Sequence, residues 1–99
     1  MINQNRDYRF ESTKMYFTYI LRSIRGKYYI GSTRDLYKRI VLHNTRRVKS
    51  TKYGSPWKLL YFEKFNNLSD ARNREIQIKH WKSRVAVEQL INTAPSSNG

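Results

Sequence analysis

Two tyrosines, an arginine, a histidine and a glutamate are the side chains of this sequence that could together handle a phosphodiester. A phenol such as Tyr19 or Tyr29 can donate to a phosphate oxygen or, with its pKa lowered by nearby cations, accept a proton from attacking water. The guanidinium of Arg39 offers forked donors to nonbridging oxygens and opposes the charge that grows in a transition state. His43 follows Arg39 by one helical turn, so the two share a stripe and could address one phosphate; His43 could equally hold a tyrosine hydroxyl or cap a helix end. Glu75 lies between Ala71 and Ile78 on an inward stripe, where a lone carboxylate is costly unless paired. Its partner could be Arg72, Arg74 or Lys79 on the same helix, or one Mg²⁺, an ion that takes few protein carboxylates and keeps most of its waters. Each side chain also has an ordinary role open to it. Tyrosines commonly pack across strands, and an arginine on a basic protein is usually solvated.

A net charge of +13 on 99 residues directs the surface toward polyanions, because each Lys or Arg that meets a phosphate releases condensed counterions. The charge is densest over residues 22–58, where Asp35 is the sole acid. Arg22, Lys27, Arg34, Lys38, Arg46, Arg47, Lys49 and Lys52 are expected to touch nucleic-acid backbone. Scattered charges, those of the flexible loop above all, hold phosphates without fixing the geometry that reads base edges, so little sequence specificity follows. Asp35, Glu63, Asp70 and Glu88 read as cap or surface, which favours one metal ion over two. The absence of cysteine excludes a disulfide, a thiolate zinc site and a cysteine nucleophile, and it fits a reducing cytoplasm, the expected location. His43 and His80 alone cannot build a structural zinc site. The longest apolar run, Leu59-Leu60-Tyr61-Phe62, is far too short to span a bilayer, and residues 1–14 lack a signal peptide's apolar stretch.

These groups need a scaffold of about 75 residues with a small aromatic core. Residues 1–14 read as a flexible arm and 92–99 as a frayed tail, which leaves 15–91 as one domain. Aromatic and β-branched residues over 15–22 and 27–32, with turn-prone residues between, predict a β-hairpin. A turn centred on Ile24 would set Tyr19 opposite Tyr29 on one face, with Tyr28 turned the other way. Gly31 permits close backbone approach and ends the second strand. Ser32 or Thr33 caps a helix to about Asn44, with Asp35 in its first turn and Leu36, Ile40 and His43 at helical spacing. A polar, flexible loop leads to a third strand over 57–65, in which Trp57, Leu59, Tyr61 and Phe65 alternate with other residues. Ser69 caps a helix to about Lys82, and Ser83 caps a shorter one to Ile91. Trp57 and Trp81 are expected in the core and His80 on the surface.

The chain resembles the GIY-YIG nuclease superfamily, in particular its small stand-alone, single-domain branch. The likeness covers residues 15–84 and has five parts in order: Phe17-Thr18-Tyr19, Tyr29-Ile30-Gly31, Arg39, His43 and Glu75. The flanking strings Lys27-Tyr28-Tyr29-Ile30-Gly31-Ser32-Thr33, Pro56-Trp57-Lys58-Leu59 and Lys79-His80-Trp81-Lys82-Ser83-Arg84 are similar to that branch. The resemblance implies an α+β fold, order β-β-α-β-α-α, with a three-stranded antiparallel sheet flanked by helices. It implies a metal-dependent endonuclease that hydrolyses nucleic acid, expected to be DNA. In that reading Tyr19 and Tyr29 line the site, one as general base, Arg39 stabilises the phosphorane, His43 supports, and Glu75 holds one Mg²⁺ or Mn²⁺. Ser32 stands where some relatives carry a lysine, so base activation falls to His43 or to the metal site. A binding module without cleavage, or a subunit whose partner protein supplies specificity, are the alternative readings.

Overall fold

The computed structural model describes residues 14–93. The proposed arm, apart from Lys14, and the proposed tail beyond Thr93 lie outside the described residues. The chain runs β1 (Tyr16–Ser23), β2 (Tyr28–Thr33), α1 (Leu36–Asn44), a 3-10 turn (Lys49–Thr51), β3 (Trp57–Phe65), α2 (Leu68–Trp81) and α3 (Arg84–Asn92). The fold is α+β as expected, with an antiparallel sheet in the order β2-β1-β3. β1 takes the centre because Thr18, Tyr19, Ile20 and Leu21 are all buried, and a strand apolar on both faces must be covered on both. Tyr19, Leu21 and Trp57 form one core with Leu36 and Ile40 of α1. Ile20 forms the other with Ile78, Trp81, Val87 and Leu90 of α2 and α3, and Tyr28 joins that face, turned away from Tyr29 as expected. α3 includes Asn92, one residue beyond the domain boundary at 91.

Two details of register differ from the expectation. Ser23 Oγ accepts the N–H groups of Arg25 and Lys27 at 3.1 and 3.0 Å, and Gly26 turns at φ 86°. The turn therefore centres on Arg25, Tyr19 opposes Gly31, and Leu21 opposes Tyr29. A shift of two residues preserves the alternation, so the phenols still share a face but meet diagonally, with ring centroids 6.3 Å apart. In β3, Ile20 opposes Tyr61 whereas Leu21 opposes Leu59, which leaves Leu60 bulged. The extra residue reverses the facing beyond it: Trp57 and Leu59 pack on the α1 side and Tyr61 on the α2 side.

The caps also moved. Asp35 caps α1 by accepting the Lys38 N–H at 3.0 Å, in place of Ser32 or Thr33, while Thr33 Oγ1 accepts the Asp35 N–H at 3.2 Å. Asn67 caps α2, in place of Ser69, through the Asp70 N–H at 2.8 Å; Ser83 caps α3 as expected. Gly31 does not end β2, which continues to Thr33. Glu63 is more than strand surface: Arg74 grips both its oxygens at 3.0 Å and the Tyr61 hydroxyl donates to it. Burial, then the Glu63 carboxylate, pushes the Tyr61 phenol up to about 12. Trp57 is buried, Trp81 half-buried and His80 exposed.

Candidate active site

Gly31 and Ser32 are two small residues on β2, which forms an edge of the sheet. Alternation turns Gly31 toward the α1 face and Ser32 toward α2. A cleft of about 340 Å³ forms there, bounded by Tyr19 and Tyr29 of the hairpin, Arg39 of α1 and Glu75 of α2, with Arg72 and Ile76 also lining it. Four of the five candidate side chains thus converge. A Cβ on Gly31 would lie 2.5 Å from Tyr19 Oη and 2.7 Å from Cζ, so the phenol reaches the cleft only because residue 31 has no side chain.

His43 lies beneath the cleft, at 0% exposure, and does not line it. Its Nε2 is 3.0 Å from the Tyr19 hydroxyl and its Nδ1 is 2.7 Å from Thr51 Oγ1. Thr51 Oγ1 donates to the Val48 carbonyl at 3.4 Å, which assigns the imidazole proton to Nδ1 and leaves Nε2 to accept from Tyr19. Burial, then the Arg39 charge, brings the His43 pKa down to about 4, so the ring is neutral near pH 7. The expected reach of His43 to a phosphate is therefore corrected, as is its helix-end role as an imidazolium; it holds a tyrosine. Tyr19 likewise departs from the expectation of an easily formed phenolate. Burial pushes its phenol up to about 12, although Arg39 acts in the opposite direction. Positive charge is legible in the sequence, whereas depth of burial is not.

Arg39 carries a buried Nε with no hydrogen-bond partner among the described residues. The Tyr19 hydroxyl raises the guanidinium pKa and burial partly offsets this. An unmatched donor beside two phenols is suited to an anionic oxygen. Glu75 accepts from the Ser32 hydroxyl at 2.6 Å and from Lys79 Nζ at 2.5 Å, so the expected helical ion pair exists at the edge of the cleft. The Lys79 side chain is 49% exposed and that of Glu75 19%, and such a half-solvated pair holds weakly enough for a cation to compete. Among the described residues no three His, Cys, Asp or Glu side chains cluster as a metal site. A single carboxylate at an open cleft fits one hydrated hard cation.

The basic residues divide. Arg34, Lys38 and Arg39 line an adjoining groove of about 550 Å³ at the start of α1. Arg46, Arg47 and Lys49 are exposed beyond the other end of that helix, where Arg46 takes φ 63° while its N–H donates to the His43 carbonyl and that of Arg47 to the Leu42 carbonyl. Lys27 lies on a further cleft that shares Tyr29, and Lys52 sits 5.0 Å over the Tyr53 ring. Arg22 opposes Tyr28 across the ladder and so emerges on the α3 face, away from Tyr19. The connection to β3 is also tied down, contrary to the flexible loop expected. Thr51 is buried, the Trp57 indole donates to its carbonyl at 2.9 Å, and Asn44 bonds the Trp57 backbone at 2.5 and 3.1 Å. Thr51 and the grip of Ser32 on Glu75 were not anticipated, since both come from long-range folding with no local signal.

A model of the family described as the GIY-YIG catalytic domain matches residues 15–89, a span that holds every residue of the cleft. The chain belongs to the GIY-YIG family. GIY-YIG domains are typically endonuclease domains that engage nucleic acid, and GIY-YIG nucleases commonly use divalent metals. The UPF0213 protein YsiG of Lactococcus lactis is 44% identical over 77 residues, 77% of this chain and 74% of its own length. A UPF0213 protein of Staphylococcus saprophyticus is 38% identical over 78 residues, 78% of this chain and 94% of its own. The solution NMR structure of a UPF0213 protein from Bacillus halodurans superimposes with a TM-score of 0.55 at 30% identity, covering 83% of this chain and 87% of that one. No helix among the described residues is long and apolar enough to cross a membrane.

Proposed function

We propose that this GIY-YIG protein is an endonuclease dependent on Mg²⁺ or Mn²⁺ that hydrolyses nucleic-acid phosphodiester bonds, DNA first among them, with little intrinsic sequence preference. The observation that carries this reading is the meeting of Tyr19, Tyr29, Arg39 and Glu75, drawn from four separate elements, around one open cleft. A carboxylate, Glu75, in an otherwise cationic cleft works against simple phosphate binding and favours the enzyme reading over a basic, non-cleaving module.

In this mechanism Arg39 grips the nonbridging oxygens of the scissile phosphate and opposes the charge that builds on them. Tyr29, which lines the same cleft, donates to a phosphate oxygen. Tyr19 takes the proton of the attacking water as its own hydroxyl proton passes to His43 Nε2, along the 3.0 Å contact. A phosphodiester anion against Arg39 weakens one of the two influences that hold the His43 pKa down, so substrate itself eases that transfer. Glu75 would hold one Mg²⁺ or Mn²⁺, whose charge polarises a phosphate oxygen. Arg34 and Lys38 hold the flanking backbone.

Supercoiled plasmid at low salt tests the proposal. Nicking in Mg²⁺ that stops in EDTA and in Glu75→Ala is the expected result. Equal, background-level cutting by wild type and Glu75→Ala, over duplex, single-stranded and branched DNA and over RNA, contradicts it.

A further inference from the structure

Beside the cleft, and sharing Tyr29 with it, a second cleft of about 390 Å³ opens beneath the segment that follows the 3-10 turn. We infer that it seats one unpaired nucleobase of the strand whose phosphate lies against Arg39, a placement that rests on the nuclease reading above.

The aromatic walls are Tyr29 and Trp57, packed edge to face at 6.2 Å and 66°, together with Tyr53. Tyr53 is 82% exposed, which alone means little on a protein surface. Its setting is what distinguishes it. Thr51, two residues before, is buried against His43, and the Gly54 N–H, one residue after, donates to the Thr51 carbonyl at 3.1 Å. Gly54 also packs so closely on Trp57 that a Cβ there would stand 2.3 Å from the indole. Tyr53 is therefore presented to solvent from a backbone pinned on both sides, and its ring can meet a ligand without first paying the entropy of ordering a loop.

Charge accompanies the rings. Arg25 and Lys27 line the same cleft from the hairpin turn, and Lys52 lies over Tyr53 at 5.0 Å. Aromatic faces interleaved with cations are what hold single strands, because every base has a π face and every linkage a negative charge. A paired base keeps both faces against its neighbours in the stack and cannot enter. The fitting ligand is therefore an unpaired nucleotide next to the phosphate in the first cleft.

Fluorescence anisotropy of the full chain in EDTA tests this without turnover. The probes are labelled oligothymidine and oligouridine of roughly 12 nucleotides and a labelled duplex. Tyr53→Ala should weaken both single strands by about tenfold and the duplex by less than about twofold, and Tyr53→Trp should restore the loss. No change in single-strand affinity, an equal loss on single strand and duplex, or no measurable single-strand binding by wild type overturns the subsite. The outcome is separable from cleavage: a Tyr53 effect stands even if plasmid stays intact, and nicking without a Tyr53 effect removes the subsite alone.

Discussion

The Tyr19 hydroxyl and His43 Nε2 lie 3.0 Å apart in a fully buried contact, and the same imidazole reaches Thr51 Oγ1 at 2.7 Å through Nδ1. Hairpin, helix α1 and 3-10 turn are thereby joined through one ring, and the turn selects the tautomer that lets His43 accept from the phenol. Tyr19→Phe is expected to lower the single-turnover cleavage rate by roughly 100-fold or more. Thr51→Val frees the tautomer and should cost about tenfold in kcat at unchanged KM, with Thr51→Ser close to wild type. Equal rates for Thr51→Val and wild type would remove the turn from the mechanism.

Acid should destabilise the fold through His43. Its pKa is about 4 when folded against 6.5 for the free side chain, so between those values the unfolded chain binds the extra proton. Stability is then complete above about pH 6.5 and falls as pH drops toward 4. Urea unfolding should show a loss of about 2 kcal/mol between pH 7 and pH 5 in wild type beyond that in His43→Gln. Identical pH slopes in the two proteins would contradict the buried, neutral ring.

Gly31 is tied to Tyr19 by contact rather than by backbone conformation. Gly31→Ala should cost roughly 1–3 kcal/mol, because its Cβ would meet the phenol and the ring has nowhere to retreat. In a Tyr19→Leu background the same change should cost measurably less, a coupling that a double-mutant cycle reads directly. Additive costs would mean the clash lies elsewhere.

The placement of Tyr19, Arg39 and Glu75 was legible in sequence because each sits on an element with a strong local signal: a run of aromatic and β-branched residues before a turn for the first, apolar helical stripes for the others. Alternation also survives a register error of two, which is why the shared face of Tyr19 and Tyr29 held although their direct pairing did not. The Leu60 bulge left no mark, since an inserted apolar residue in an apolar strand looks like more strand. Asp35 and Asn67 took the caps from neighbouring hydroxyl residues that suit the position equally well by type. Thr51 and Tyr53 sit in a polar stretch whose order comes from His43 and Trp57, contacts that no local pattern announces.

Arg46 holds a left-handed conformation at φ 63°, in a helix-ending motif that usually carries glycine. Arg46→Gly should stabilise the fold by about 1 kcal/mol in urea. If this arginine also meets a phosphate, the same variant should bind duplex more weakly and reduce the slope of log affinity against log salt by about 1. A variant that gains stability with an unchanged salt slope would leave the strained arginine without a part in binding.

Whether the cleft hydrolyses a phosphodiester is tested most directly by separating rate from affinity in Arg39→Ala. Single-turnover cleavage of a labelled DNA in Mg²⁺ is compared with binding of the same DNA in EDTA. The expected result is a cleavage rate at least about 100-fold below wild type with affinity within about fivefold, since one phosphate contact among several is lost from binding while the charge opposing the transition state is lost outright. Cleavage by Arg39→Ala as fast as by wild type would contradict the account.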